Sequence, residues 1–144
     1  MRNSSQKRKR AQMMSALKQI YTREFVALSD YIYYSLIFEE REGEISALFN
    51  SLAERQIEIF KSVGRLLCGM GVSPALNTQL RQLSSHDEKI EEIFLKEAEN
   101  KRNIIEELTK LIIISDDKSM DSDLCFVVNR ERDILEIYER ILRS

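Results

Sequence analysis

The sequence predicts an all-α chain, an antiparallel four-helix bundle with one long crossover between its second and third helices. Three observations carry that reading. Helix breakers are scarce, with four glycines and one proline in 144 residues, which suits long helices and not a turn-rich sheet protein. Apolar residues recur at alternating three- and four-residue steps in four separate runs, the spacing of one face of a 3.6-residue helix. The interruptions between these runs are short, long and short in that order. The first two helices therefore pair antiparallel, the long link crosses over, and the last two pair in turn.

Helix 1 is expected over roughly residues 10–40, with the seam Leu17, Tyr21, Glu24, Leu28, Tyr31, Ser35 and Phe38. Gly43 is the candidate residue beyond its C-terminus. Helix 2 follows over roughly 44–70 on Ile45, Phe49, Leu52, Gln56, Ile59, Val63, Leu66 and Met70, and stops at Gly69, Gly71 and Ser73-Pro74. The connection over 71–85 reaches roughly 50 Å if extended at ~3.3 Å per residue. That exceeds the ~38 Å length of a 25-residue helix, so the link can climb back along the bundle, and Ala75 to Leu83 can themselves be helical. Ser84, Ser85 and Asp87 are the start signals for helix 3. It is expected over roughly 87–115 on Ile90, Phe94, Glu97, Lys101, Ile104, Leu108 and Leu111. Glu97 and Lys101 stand four apart, the spacing of an intrahelical ion pair. Ser115 to Ser119 is a capping turn, and helix 4 runs over roughly 120–143 on Leu124, Val127, Glu131, Ile134, Tyr138 and Ile141.

Five charged or amide residues interrupt these seams: Glu24, Gln56, the pair Glu97 and Lys101, and Glu131. A carboxylate on a core face must be paired, metal-bound or protonated, because an isolated buried charge is very unfavourable. The chain is expected to divide into a basic tail, residues 1–9, and one helical domain, residues 10–144. Five cations fall between Arg2 and Arg10; they read as a solvated tail or first turn, and the competing reading is an arm on nucleic acid or anionic lipid. No apolar run follows them and none approaches the ~20 residues of a membrane span. A net charge of −2 gives no global pull toward nucleic acid or membrane. Cys68 and Cys125 form no CxxC pair and read as buried thiols of a reducing compartment. The expected location is the cytoplasm.

The pattern Glu24-x-x-Ala27-x-x-x-Tyr31 resembles the first helix of rubrerythrin-type members of the ferritin-like superfamily. Leu48-Phe49-x-x-Leu52-Ala53-Glu54 with the Gly71-x-x-Pro74 turn is similar to their second helix and its exit, and Asp116-Asp117 with a final helix around Glu131 is similar to their second half. The resemblance implies a bundle carrying two metal ions, usually iron, on one Glu from each of helices 1 and 3 and a Glu-x-x-His from each of helices 2 and 4. Carboxylates bridge and neutralise such ions and imidazole fills a terminal position.

Carried over position by position, the ligand set breaks. Glu24 and Glu131 match. Gln56 and Ile59 stand at the second-helix Glu and His, Lys101 at the third-helix Glu (with Glu97 one turn away as the fallback), and Ile134 at the fourth-helix His. The chain has a single histidine, His86, placed in the connection, so two Glu-x-x-His motifs are impossible. It also lacks the CxxC pairs of a rubredoxin-like centre. The isoleucines would fill the imidazole volumes, and the Lys101 ammonium would stand between Glu24 and Glu131 in place of metal charge. No metal ligand is assigned and no cofactor is expected.

The leading functional expectation is thus a ferritin-like protein that has lost most dimetal ligands and serves as a non-catalytic structural or binding module. It is read as a homodimer, with Tyr33 and Phe60 available to the interface. The alternative is a metal-binding oxidoreductase or iron-handling protein that holds iron or manganese on a displaced set of Glu24, Glu97 and Glu131 with Glu54 or Glu58. Nucleic-acid association through residues 2–10 is the third, weaker reading.

Overall fold

The computed structural model describes residues 4–76 and 88–144. Four helices follow in order: α1 (Ser4–Ile37), α2 (Gly43–Gly69), α3 (Ile90–Ile114) and α4 (Lys118–Arg143). No strand occurs among the described residues. The architecture is the expected antiparallel four-helix bundle, with short links over 38–42 and 115–117 and the long crossover between α2 and α3.

The boundaries differ from expectation where no breaker marks them. α1 has no glycine or proline along its length and starts at Ser4, so most of the basic run forms its first turns. Two contacts tie those turns to the bundle: Arg10 donates to the carbonyl of Met70 at 2.6 Å, and Lys9 pairs with Asp116 at 3.4 Å. At its other end α1 stops at Ile37, and Gly43 is not its cap; it opens α2. The turn between them is closed by the Glu42 N–H on the Phe38 carbonyl, at 2.9 Å, and by the Ser46 hydroxyl on the Ser35 carbonyl, at 2.6 Å.

Positive φ is used at Gly71 alone among the described residues, at 79°. There the Val72 N–H reaches back to the Leu67 carbonyl and the Gly71 N–H to that of Cys68, each at 2.9 Å. This is a Schellman closure, which needs a left-handed residue that only glycine supplies without strain. The start signals Ser84, Ser85 and Asp87, the loop histidine His86 and most of the possible helix from Ala75 lie outside the described residues. α3 begins at Ile90 behind Lys89, which makes no side-chain cap; Glu91 and Glu92 complement the helix dipole instead. α4 begins at Lys118, where the Asp117 carboxylate accepts from the N–H groups of Ser119 and Met120 at 2.9 and 3.3 Å.

All four helices meet in an aromatic layer of Tyr31, Tyr34, Phe49, Phe94 and Tyr138. Phe49 lies 4.9 Å from Tyr34 and stacks on Phe94 at 5.7 Å, and Phe94 lies 5.8 Å from Tyr138. On the outer side of α1 and α2, Tyr21 stacks on Phe60 at 4.4 Å. A Cβ at Gly64 would meet the Tyr21 ring at 3.2 Å, which accounts for a glycine inside α2. The cysteines correct the sequence reading. Both are free and both are exposed, because each follows a core leucine (Leu67, Leu124) and one helical step of about 100° turns it outward.

Candidate functional site

The inward faces of the four helices bring Glu24 (α1), Gln56 (α2), Lys101 (α3) and Glu131 (α4) into one layer. Their relative exposures are 0, 0, 1 and 0%. Lys101 is the hub. Its Nζ donates to Gln56 Oε1 at 2.6 Å and to Glu131 Oε1 at 3.0 Å, and lies 3.5 Å from Glu24 Oε1. Gln56 Nε2 donates to both the Glu24 side chain, at 3.0 Å, and its backbone carbonyl, at 2.9 Å. An ammonium has three protons and no acceptor, so three oxygens around Nζ use its full capacity.

The charges decide the protonation. Burial works against the Lys101 ammonium, but the carboxylates of Glu131 and Glu24 outweigh it and hold the group above its ordinary range. Burial pushes the Glu131 carboxyl up, the Glu24 charge adds to the rise, and the opposing pull of Lys101 leaves it at about 8. Two carboxylates facing one ammonium cannot both be ionised cheaply in a dry core. Glu131 is therefore the carboxyl of this layer driven toward its protonated form.

One turn away, a second polar layer lacks such pairing. Glu97 is fully buried, yet among the described residues neither carboxyl oxygen has a hydrogen-bond partner, and the same holds for the hydroxyls of Tyr31 and Tyr138 and for Oε2 of both Glu24 and Glu131. Burial first, and then the charge of Asp30, raises Glu97 to about 7. Asn100 and the charges of Lys96 and Lys101 pull the other way without cancelling that rise. A small cavity of about 80 Å³ opens beside Glu97 at the α1–α3 seam, lined also by Arg23, Asp30 and Asn100. It is polar and roomy enough for water.

The expected intrahelical pair between Glu97 and Lys101 is not formed, because Lys101 is drawn to α1, α2 and α4. Ile59 and Ile134 are buried in the core as expected. Glu54 and Glu58 are exposed on α2, so they do not join Glu24, Glu97 and Glu131. Among the described residues no three His, Cys, Asp or Glu side chains gather in a group that could hold a metal ion. The donor set of the Lys101 layer does not fit a pair of metal ions either, since a protonated amine has no lone pair to give and repels a cation. Tyr33 and Phe60, expected as exposed aromatics, are half-buried. Sequence reasoning missed Asp30 and the two tyrosine hydroxyls. The seam was drawn through Leu28, whereas the buried face runs through Ala27 and on to Asp30 and Tyr31; an acidic residue three positions beyond Ala27 was the available signal.

The four helices and the long crossover between α2 and α3 have the fold of a ferritin-like four-helix bundle. No family model matches the chain, and no curated protein does. Among solved structures it is similar to the bacterioferritin of Desulfovibrio desulfuricans, with a TM-score of 0.82 over 99% of this chain and 84% of that one, at 15% sequence identity. That bacterioferritin is described with a diiron site in different catalytic states. At this level of identity the likeness establishes the fold.

Proposed function

We propose that this chain is a ferritin-like bundle in which a lysine-centred charge network stands where a dimetal centre would sit, and that it serves as a non-catalytic structural or binding module. The observation that carries the reading is the Lys101 ammonium, buried and shared among Gln56, Glu131 and Glu24. It supplies from within the chain the positive charge that two converging carboxylates require. Hydrocarbon at Ile59 and Ile134, where the family pattern has imidazoles, supports the same conclusion. The unpaired cysteines fit the reducing cytoplasm, and Ile32 and Leu36, exposed one turn apart on α1, give a homodimer an apolar contact.

Metal uptake tests this reading. Protein purified without chelator, then given ferrous iron anaerobically, is expected to hold essentially no iron or manganese by elemental analysis. A variant carrying Gln56→Glu, Ile59→His, Lys101→Glu and Ile134→His is expected to take up about two ions per chain. One or two tightly held ions in the unaltered protein would instead favour an iron-handling role.

A further inference from the structure

The end of the bundle where α1 starts, α2 stops and α3 turns into α4 carries a cavity of about 270 Å³ that the buried polar layers do not use. Its inner lining is hydrocarbon and thioether, from Met13, Met70, Ile114 and Met120. Its rim is charged. Lys7, Lys9 and Arg10 face it from α1, and Asp116 and Asp117 from the turn before α4. Lys9 is matched by Asp116 at 3.4 Å, and the Asp117 carboxylate is engaged in capping α4. Arg10 is held by one guanidinium nitrogen on the Met70 carbonyl, and Lys7 has no ion-pair partner among the described residues.

We propose that this cavity binds a singly charged amphiphile, a fatty carboxylate of short to medium chain, with its tail on the methionines and its head between Lys7 and Arg10. The rim's three cations against two carboxylates leave one positive charge, which selects a monoanion; Asp116 and Asp117 would repel a dianionic head. Arg10 is fixed through one nitrogen, so its remaining N–H groups are available for a charge-assisted bond to a carboxylate. Methionine is the side chain best able to mould to a flexible alkyl chain. The volume lies just below the ~300–1,000 Å³ of sites for drug-sized ligands, which favours a short chain. The cavity is separate from the Lys101 layer, since Met13 precedes Glu24 by roughly 16 Å along α1 at 1.5 Å per residue. The proposal and the reading of that layer therefore stand or fall independently.

Calorimetric titration of the full chain with sodium octanoate tests it. The expected result is saturable binding of one octanoate per chain, with affinity rising about fourfold per methylene from hexanoate to octanoate. Octanol, which keeps the chain and lacks the charge, and butyrate, which keeps the charge and shortens the chain, are each expected to bind about tenfold or more weakly. Lys7→Glu is expected to weaken octanoate similarly while helical circular dichroism stays unchanged, and Met120→Gln to weaken it with the rim intact. Octanol binding as well as octanoate, or octanoate binding undiminished in Lys7→Glu, would overturn the proposal. So would absence of octanoate binding with capture only on vesicles of anionic phospholipid, which would assign the basic turns to a membrane surface.

Discussion

An ammonium in a helix-bundle core stays charged only because of the atoms around it, and at Lys101 those atoms come from three other helices. Glu131 and Glu97 complement it as buried carboxyls that prefer their protons. Both have folded-state pKa values, about 8 and about 7, above the ordinary carboxyl value of 4.5. The folded chain therefore binds more protons than the unfolded chain between those limits, and stability falls as pH rises through that window. The contribution is complete below about pH 4.5 and is lost progressively until pH passes 7 for Glu97 and 8 for Glu131. Each group accounts for a slope of up to ~1.4 kcal/mol per pH unit. Urea denaturation of the unaltered protein between pH 5 and 8.5 is expected to show this decline. Glu97→Gln, which keeps the shape and cannot ionise, is expected to flatten the slope and to be more stable than the parent at pH 8. A parallel pair of curves would contradict the assignment of that proton to Glu97.

At the level of the helices, the informative positions are the ends. Asp117 is the one helix start in which a side chain closes the cap among the described residues, and Asp117→Ala is expected to lower stability by ~1 kcal/mol in chemical denaturation. Gly71 at φ 79° ends α2 and launches the crossover. Gly71→Ala forces a Cβ into left-handed space and is expected to destabilise by ~1–2 kcal/mol, while Gly43→Ala, with nothing within 4 Å of an added Cβ, is expected to be neutral or slightly stabilising. These ends also mark what was legible. The α2 stop could be read from Gly71 and Pro74 because both residues restrict the backbone directly. The α1 start could not, because Ser4 to Arg10 contains no breaker and a charged surface turn is compatible with either coil or helix. Gly43 misled for a related reason, since a glycine marks a turn without stating which side of it the helix lies on.

Taken as a whole, the molecule shows why the fold was readable and the site only half so. Period and link length fix the bundle, since only one order of short and long connections suits the four apolar runs. Glu24, Gln56, Lys101 and Glu131 were found from the same periodicity, as polar residues where the stripe requires apolar ones. The rest of the second layer was not, because which groups face Glu97 depends on side-chain direction across helices. The sequence spacing to Lys101 suggested a pair, and the ammonium points to other helices instead. The cationic cavity at the bundle end escaped as well, since it forms only where α1, α2 and the α3–α4 turn meet.

The central claim, that Lys101 is the internal counter-ion of this core, is tested most directly by the unfolding free energy of Lys101→Met. Removing the ammonium strands two buried carboxyls and an amide oxygen, and a loss of ~3–5 kcal/mol is expected in guanidinium denaturation at pH 7. Adding Glu24→Leu and Glu131→Leu to that variant is expected to restore most of the loss, since an apolar layer of similar volume needs no counter-ion. A metal-free Lys101→Met protein as stable as the parent would contradict the account.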